Sequence, residues 1–126
     1  MCPFCNPAAG RVSVLMTEHY FAMFDRAPVT KGHLLVISRE HRADISHLGR
    51  SEWDDLGHAI RCAMKYLDEL YPCDGYNIGT NCGEAAGQTV MHFHMHVIPR
   101  HKGDVVNPQG GVRNLMPPLQ PLWPEE

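Results

Sequence analysis

Apolar and polar positions change period twice along this chain. Arg11 to Met16 and His19 to Asp25 alternate as strands and are joined by Thr17-Glu18, which predicts a short hairpin. Asp25 to Lys31, with Pro28 inside it, reads as a loop, and Gly32 to Ser38 follows as an apolar third strand bounded by turn residues. Arg42 to Gly49 has room for a single helical turn. From Ser51 the period becomes helical: Trp53, Leu56, Ile60, Ala63, Met64, Leu67 and Leu70 recur on one side and predict a buried stripe. Asp54, three residues after Ser51, makes a variant capping box, and Pro72 and Gly75 stop the helix. Tyr76 to Thr80 predicts a fourth strand, Asn81 to Gln88 a Gly- and Ala-rich loop, and Met91 to Arg100 a fifth strand. Strands interrupted by a helix, with connections short enough for antiparallel pairing, predict an α+β meander. Beyond Arg100 the period is lost; Asn107 to Gly111 and Pro117, Pro118, Pro121 and Pro124 predict a tail without regular structure, running over the surface or onto a partner subunit. The expected division is a domain over 1–104 and an irregular tail over 105–126.

The fifth strand carries the candidate chemistry. Successive side chains of a strand point to opposite faces, so His92, His94 and His96 share one face while Phe93, Met95 and Val97 share the other. Imidazole adds little to a core unless both nitrogens find partners. Three in strict alternation therefore mark a site, either catalytic or metal-binding.

Composition narrows the setting. With 126 residues, 44% apolar and 20% charged, the chain is one globular domain, and a formal net charge of −3 argues against a broad nucleic-acid-binding surface. No apolar run is long enough to cross a bilayer, and Met-Cys-Pro-Phe-Cys lacks the basic start and apolar core of a signal peptide. The expectation is a cytoplasmic protein with no membrane partner. Five cysteines, an odd number, fit reduced thiols or metal ligands better than a disulfide framework. Cys62 falls in the helical pattern and reads as a small core residue, whereas Cys2-Pro3-Phe4-Cys5 suggests either redox chemistry or half of a zinc site.

The run from Gly87 through Gln88, Thr89, Val90 and Met91 to His92-Phe93-His94-Met95-His96-Val97-Ile98 resembles the signature of the histidine triad (HIT) superfamily, His-φ-His-φ-His-φ-φ with φ apolar. Asn81-x-Gly83-x-x-x-Gly87-Gln88 is similar to that family's phosphate loop, and Asp25 and Gly32-His33-Leu34-Leu35-Val36-Ile37 match upstream. The likeness implies the HIT-like fold, an antiparallel sheet of about five strands with one long and one short helix. It also implies hydrolysis or transfer at the α-phosphate of a purine nucleotide conjugate, of the diadenosine polyphosphate or the adenosine phosphoramidate type, through a nucleotidyl-histidine.

By the same resemblance His94 is the nucleophile, its second nitrogen held by the His92 carbonyl, and His96 carries a proton to the leaving group or binds phosphate oxygens. His33 orients the triad. Asn81, Gly87, Gln88 and Thr89 offer donors to the phosphoryl group, Asp25 receives the ribose hydroxyls and Phe4 lines the base pocket. Bacterial members of this kind carry a structural zinc, implied here on Cys2, Cys5, His41 and His92, and are homodimers. Gly110-Gly111-Val112-Arg113 resembles tails in which the arginine reaches a phosphate, in its own site or across a dimer interface; a solvated arginine is the plain alternative. A different function class stays open as well: a zinc-stabilised nucleotide-binding module with little catalysis.

Overall fold

The structure is a computed structural model and describes residues 2–5 and 13–119. The expected turn at Asn6 to Gly10, the start of the first strand at Arg11 and Val12, and Pro121 and Pro124 lie outside the described residues. Five strands form one antiparallel sheet: β1 (Leu15–Met16), β2 (Tyr20–Phe24), β3 (Leu34–Ser38), β4 (Gly75–Gly79) and β5 (His94–Arg100), in the spatial order β1-β2-β3-β5-β4. The helix α1 (Arg50–Leu70) joins β3 to β4, and a 3₁₀ turn at Ile45–His47 occupies the place of the expected helical turn. The fold is α+β with one main helix, the arrangement that the HIT resemblance implies. Among the described residues, no helix is long and apolar enough to cross a membrane.

Strand alternation divides the apolar residues between two layers. Tyr20, Ala22, Leu34, Val36, Phe93, Met95 and Val97 pack with Leu56, Ala59, Ala63 and Leu67 of α1. Phe21, Met23, Leu35 and Ile37 form a second cluster with Phe4, on the side away from the helix. Because both faces of β3 are covered, its sequence is a continuous apolar run rather than an alternating one. Full burial of a leucine such as Leu67 is worth about 1.5–3 kcal/mol, so the α1 layer carries much of the domain's stability.

Three expectations are corrected. The helix starts one residue before Ser51, with Gly49 as its N-cap: the Gly49 N–H donates to Glu52 Oε1 at 2.8 Å, and Arg42 Nε donates to the same oxygen at 2.8 Å. Glu52 therefore takes the role assigned to Asp54, because a buried carboxylate with two donors outweighs a solvated one. Trp53 and Leu70 are about half exposed: the buried face runs through Glu52, Leu56, Ala59, Ala63 and Leu67, which leaves Trp53 at its flank and Leu70 beyond it in the last turn; Cys62 is half-buried. The region after Arg100 is not wholly irregular, because Gly111–Leu115 forms a 3₁₀ turn.

Gly32 sets up the residue that follows it. Its φ of +91° suits glycine, and a Cβ there would stand 2.9 Å from a Tyr71 ring carbon. The chain can thus enter β3 with His33 buried at the edge of the site.

Candidate active site

Register places the histidines. On the face opposite α1, His94 pairs with Ile37 and His96 with Leu35, so both imidazoles stand on the apolar platform of the second cluster. Their ring centres are 5.4 Å apart. His92 lies just before β5, which begins at His94, because the Phe93 N–H leaves the ladder to donate to the Arg42 carbonyl at 2.6 Å.

Hydrogen bonds assign the protons. His94 Nδ1–H donates to the His92 carbonyl at 2.8 Å, which leaves the lone pair on Nε2. The Val29 N–H donates to His33 Nδ1 at 3.2 Å, so the His33 proton sits on Nε2 and is given to His96 Nδ1 at 2.8 Å. His96 must then carry its own proton on Nε2. The outcome is a base at His94 Nε2 beside a donor at His96 Nε2. Burial pushes His33 below its ordinary value, opposed by the Asp25 carboxylate 3.4 Å away. Burial first, and then the His33 and His94 rings, lowers His96.

A pH dependence follows. Both rings stay neutral in the fold but gain protons once unfolded below about pH 6.5, so the unfolded state binds more protons there. Stability is fully present above that value and is lost as pH falls toward the folded-state pKa values. The urea midpoint is expected to fall as pH is lowered below about 6.5, and to fall less in His33→Gln. Parallel curves for the two proteins would refute the assignment.

A cleft of about 310 Å³ opens over these rings. It is lined by Phe4, Asp25, Asn81, Gly87, Thr89, His94 and His96, all anticipated from sequence, and also by Pro3, Phe24, Arg26, Leu35 and Val90. Arg26 was not anticipated; the available signal was its place directly after Asp25. His33 sits behind the cleft, bonded to His96.

Gln88 is placed differently from expectation. It is buried, its Oε1 accepts the Gly83 N–H at 2.8 Å, and its Nε2 donates to the carbonyls of Ala43 at 2.7 Å and Val90 at 3.0 Å. The amide braces the loop and has no hydrogen left for a ligand. The N–H groups of Gly83, Ala86, Gly87 and Gln88 are likewise consumed inside the loop. Of the residues of this segment that line the cleft, Asn81 brings its amide and Thr89 its hydroxyl as donors, with Gly87 at φ +95° turning the chain between them.

Beneath the cleft, Cys2, Cys5, His41 and His92 bring one ligand atom each to within 4.8 Å of one another, a set that could hold a metal ion. His92 Nε2–H donates to the Ser38 carbonyl at 2.7 Å, so its Nδ1 lone pair faces Cys2 Sγ at 3.3 Å, Cys5 Sγ at 3.5 Å and His41 Nδ1 at 3.2 Å. A carbonyl fixing the far nitrogen is the usual support of a metal-bound imidazole. Burial, then a hydrogen bond with the adjacent Cys2 thiol and lastly its charge, push the Cys5 thiol up.

Residues 8–103 match the HIT domain. The chain belongs to the HIT domain family. It is similar to the protein Hit of Bacillus subtilis, 41% identical over 108 residues that span 82% of this chain and 74% of that one. A crystal structure of a HIT family protein from Bacillus anthracis superposes with a TM-score of 0.73 at 37% identity, covering 79% of this chain and 73% of that one. The bis(5'-adenosyl)-triphosphatase of Dictyostelium discoideum is 35% identical over 91 residues, 72% of this chain and 61% of that enzyme. The HIT family thus includes hydrolases of dinucleoside polyphosphates, and this chain has the family's sheet, helix and histidine strand.

Proposed function

We infer that this HIT protein cleaves at the α-phosphate of a purine nucleotide conjugate through a nucleotidyl-His94 intermediate. The observation that carries the reading is the proton assignment: a free lone pair on His94 Nε2 beside an N–H on His96 Nε2, in one cleft with Asp25, Asn81 and Thr89. His94 Nε2 attacks phosphorus, the bond to the leaving group breaks, and its electron pair departs with that group. The phosphorylated ring keeps its Nδ1 proton, whose positive charge the His92 carbonyl stabilises. Water then attacks phosphorus, the P–N pair returns to His94, and one water proton passes to solvent.

The leaving group can be narrowed by the same bonds. His96 cannot readily surrender its Nε2 proton, because regaining one from His33 would leave that ring anionic with Nδ1 facing the Val29 N–H. His96 serves better as a hydrogen-bond donor than as an acid. That favours groups leaving as stable anions, as a phosphoanhydride does, over amines that need a proton. Diadenosine polyphosphates suit the site better than adenosine phosphoramidates, in keeping with the activity named for the Dictyostelium relative.

Zinc fits the four-ligand set. A tetrahedral zinc with the usual bonds to nitrogen and sulfur spaces its ligand atoms about 3.3–3.8 Å apart, close to the separations around His92 Nδ1. Such an ion would act as a structural cross-link. We further take residues 1–104 as the catalytic unit, 105–126 as its tail, and the assembly as a homodimer, for which the edge strand β4 offers a surface. The deciding experiment is rapid quench with diadenosine triphosphate followed by intact and peptide mass: a single AMP increment on His94 is expected, and an increment elsewhere or none would overturn the covalent mechanism.

A further inference from the structure

Cys2 and Cys5 bracket Pro3 and Phe4, and this short turn faces two sites at once. Its thiols point to His92 Nδ1 at 3.3 Å and His41 Nδ1 at 3.0 Å, while Pro3 and Phe4 line the cleft. Phe4 is 5% exposed and stands edge-on to His94, ring centres 5.0 Å apart, and to His92 at 5.9 Å. The turn belongs to neither the sheet nor the helix. The Phe4 ring packs with Phe21, Met23, Leu35 and Ile37, and the turn that carries it runs only from Cys2 to Cys5. A cross-link at both ends would fix it.

We propose that a metal on Cys2, Cys5, His41 and His92 positions Phe4 as a wall of the nucleotide cleft, so that metal and nucleotide each raise the other's affinity. This rests on the reading above that the set holds zinc and the cleft a nucleotide. The cysteines act here as positioning residues: they reach the ligand only through Phe4. Coupling of this kind is reciprocal by linkage, and the two affinity ratios must agree.

The test measures AMP binding by calorimetry to zinc-loaded and to chelator-stripped protein, and zinc extraction by a chelator with and without AMP. Stripping is expected to raise the AMP dissociation constant about fivefold or more, and AMP to tighten zinc by the same factor. Phe4→Ala keeps all four ligands and is expected to bind AMP more weakly yet with no dependence on zinc. AMP dissociation constants within about twofold of each other in loaded and stripped wild-type protein would overturn the proposal. Should the stripped protein unfold by circular dichroism, the extraction arm decides: protection by AMP in wild type but not in Phe4→Ala supports the coupling, and equal protection in both overturns it. Protein that binds no zinc, or loaded protein that binds no AMP, strikes the underlying reading and the coupling with it; AMP binding indifferent to zinc strikes the coupling alone.

Discussion

His94→Ala is expected to lower turnover of diadenosine triphosphate by about 10³-fold or more while leaving AMP affinity within about tenfold of wild type. The asymmetry follows from the cleft. Deleting the imidazole removes the only step His94 performs, P–N bond formation, whereas Phe4, Phe24, Asp25, Asn81 and Thr89 still line the pocket. Some affinity should be lost, because the Phe4 ring packs edge-on against the His94 ring. Steady-state kinetics and calorimetry on the same preparation separate the two effects. Turnover surviving within about tenfold would place the chemistry elsewhere and return the protein to the class of nucleotide-binding modules.

Stripping metal from the protein is expected to give the second large effect. The four candidate ligands Cys2, Cys5, His41 and His92 lie far apart in sequence, so an ion held by them would close long loops as well as form bonds. A metal present at about a thousand times its dissociation constant adds roughly 4 kcal/mol, or about 10–20 °C of melting temperature for a domain of this size. The layer between α1 and the sheet does not depend on the ion, so the stripped protein is expected to remain folded at 25 °C with a lower midpoint. Metal analysis should find one zinc per chain, and Cys5→Ser should melt where stripped wild type does. A melting temperature indifferent to chelator, or protein isolated without zinc, would eliminate the structural metal.

Elements whose cause is local were legible before folding was considered. The helical stripe through Leu56, Ala63 and Leu67, the apolar run of β3 and the alternation of β5 all appear in the structure, because side-chain period depends on backbone geometry over a few residues. Where the period met tertiary packing it misled. Trp53 and Leu70 continue the expected stripe, but the buried face runs through Glu52, Leu56, Ala59, Ala63 and Leu67 and leaves both about half exposed. Asp54 has the spacing of a cap, yet Glu52 wins it through Arg42, a partner no local window contains.

The site divides in the same way. His94 and His96 share one face through alternation, whereas the grouping of Phe4, Asp25, Asn81, Gly87 and Thr89 around them was implied only by the likeness to the HIT family. Gln88 fits the motif, but its amide is spent on Ala43 and Val90, because a buried amide must satisfy its own hydrogens before it can serve a ligand.

Sequence by itself determined which side chains are present and which face each strand residue takes. Only the tertiary structure decided the protons and the partners. The tautomer of His96 is set by His33, 63 residues away, whose other nitrogen takes the N–H of Val29, and His92 turns its free nitrogen to the metal set because Ser38, 54 residues away, takes its other proton. A ring nitrogen's role is set by whatever hydrogen bond its opposite nitrogen makes, and no periodicity along the chain encodes a contact between distant segments.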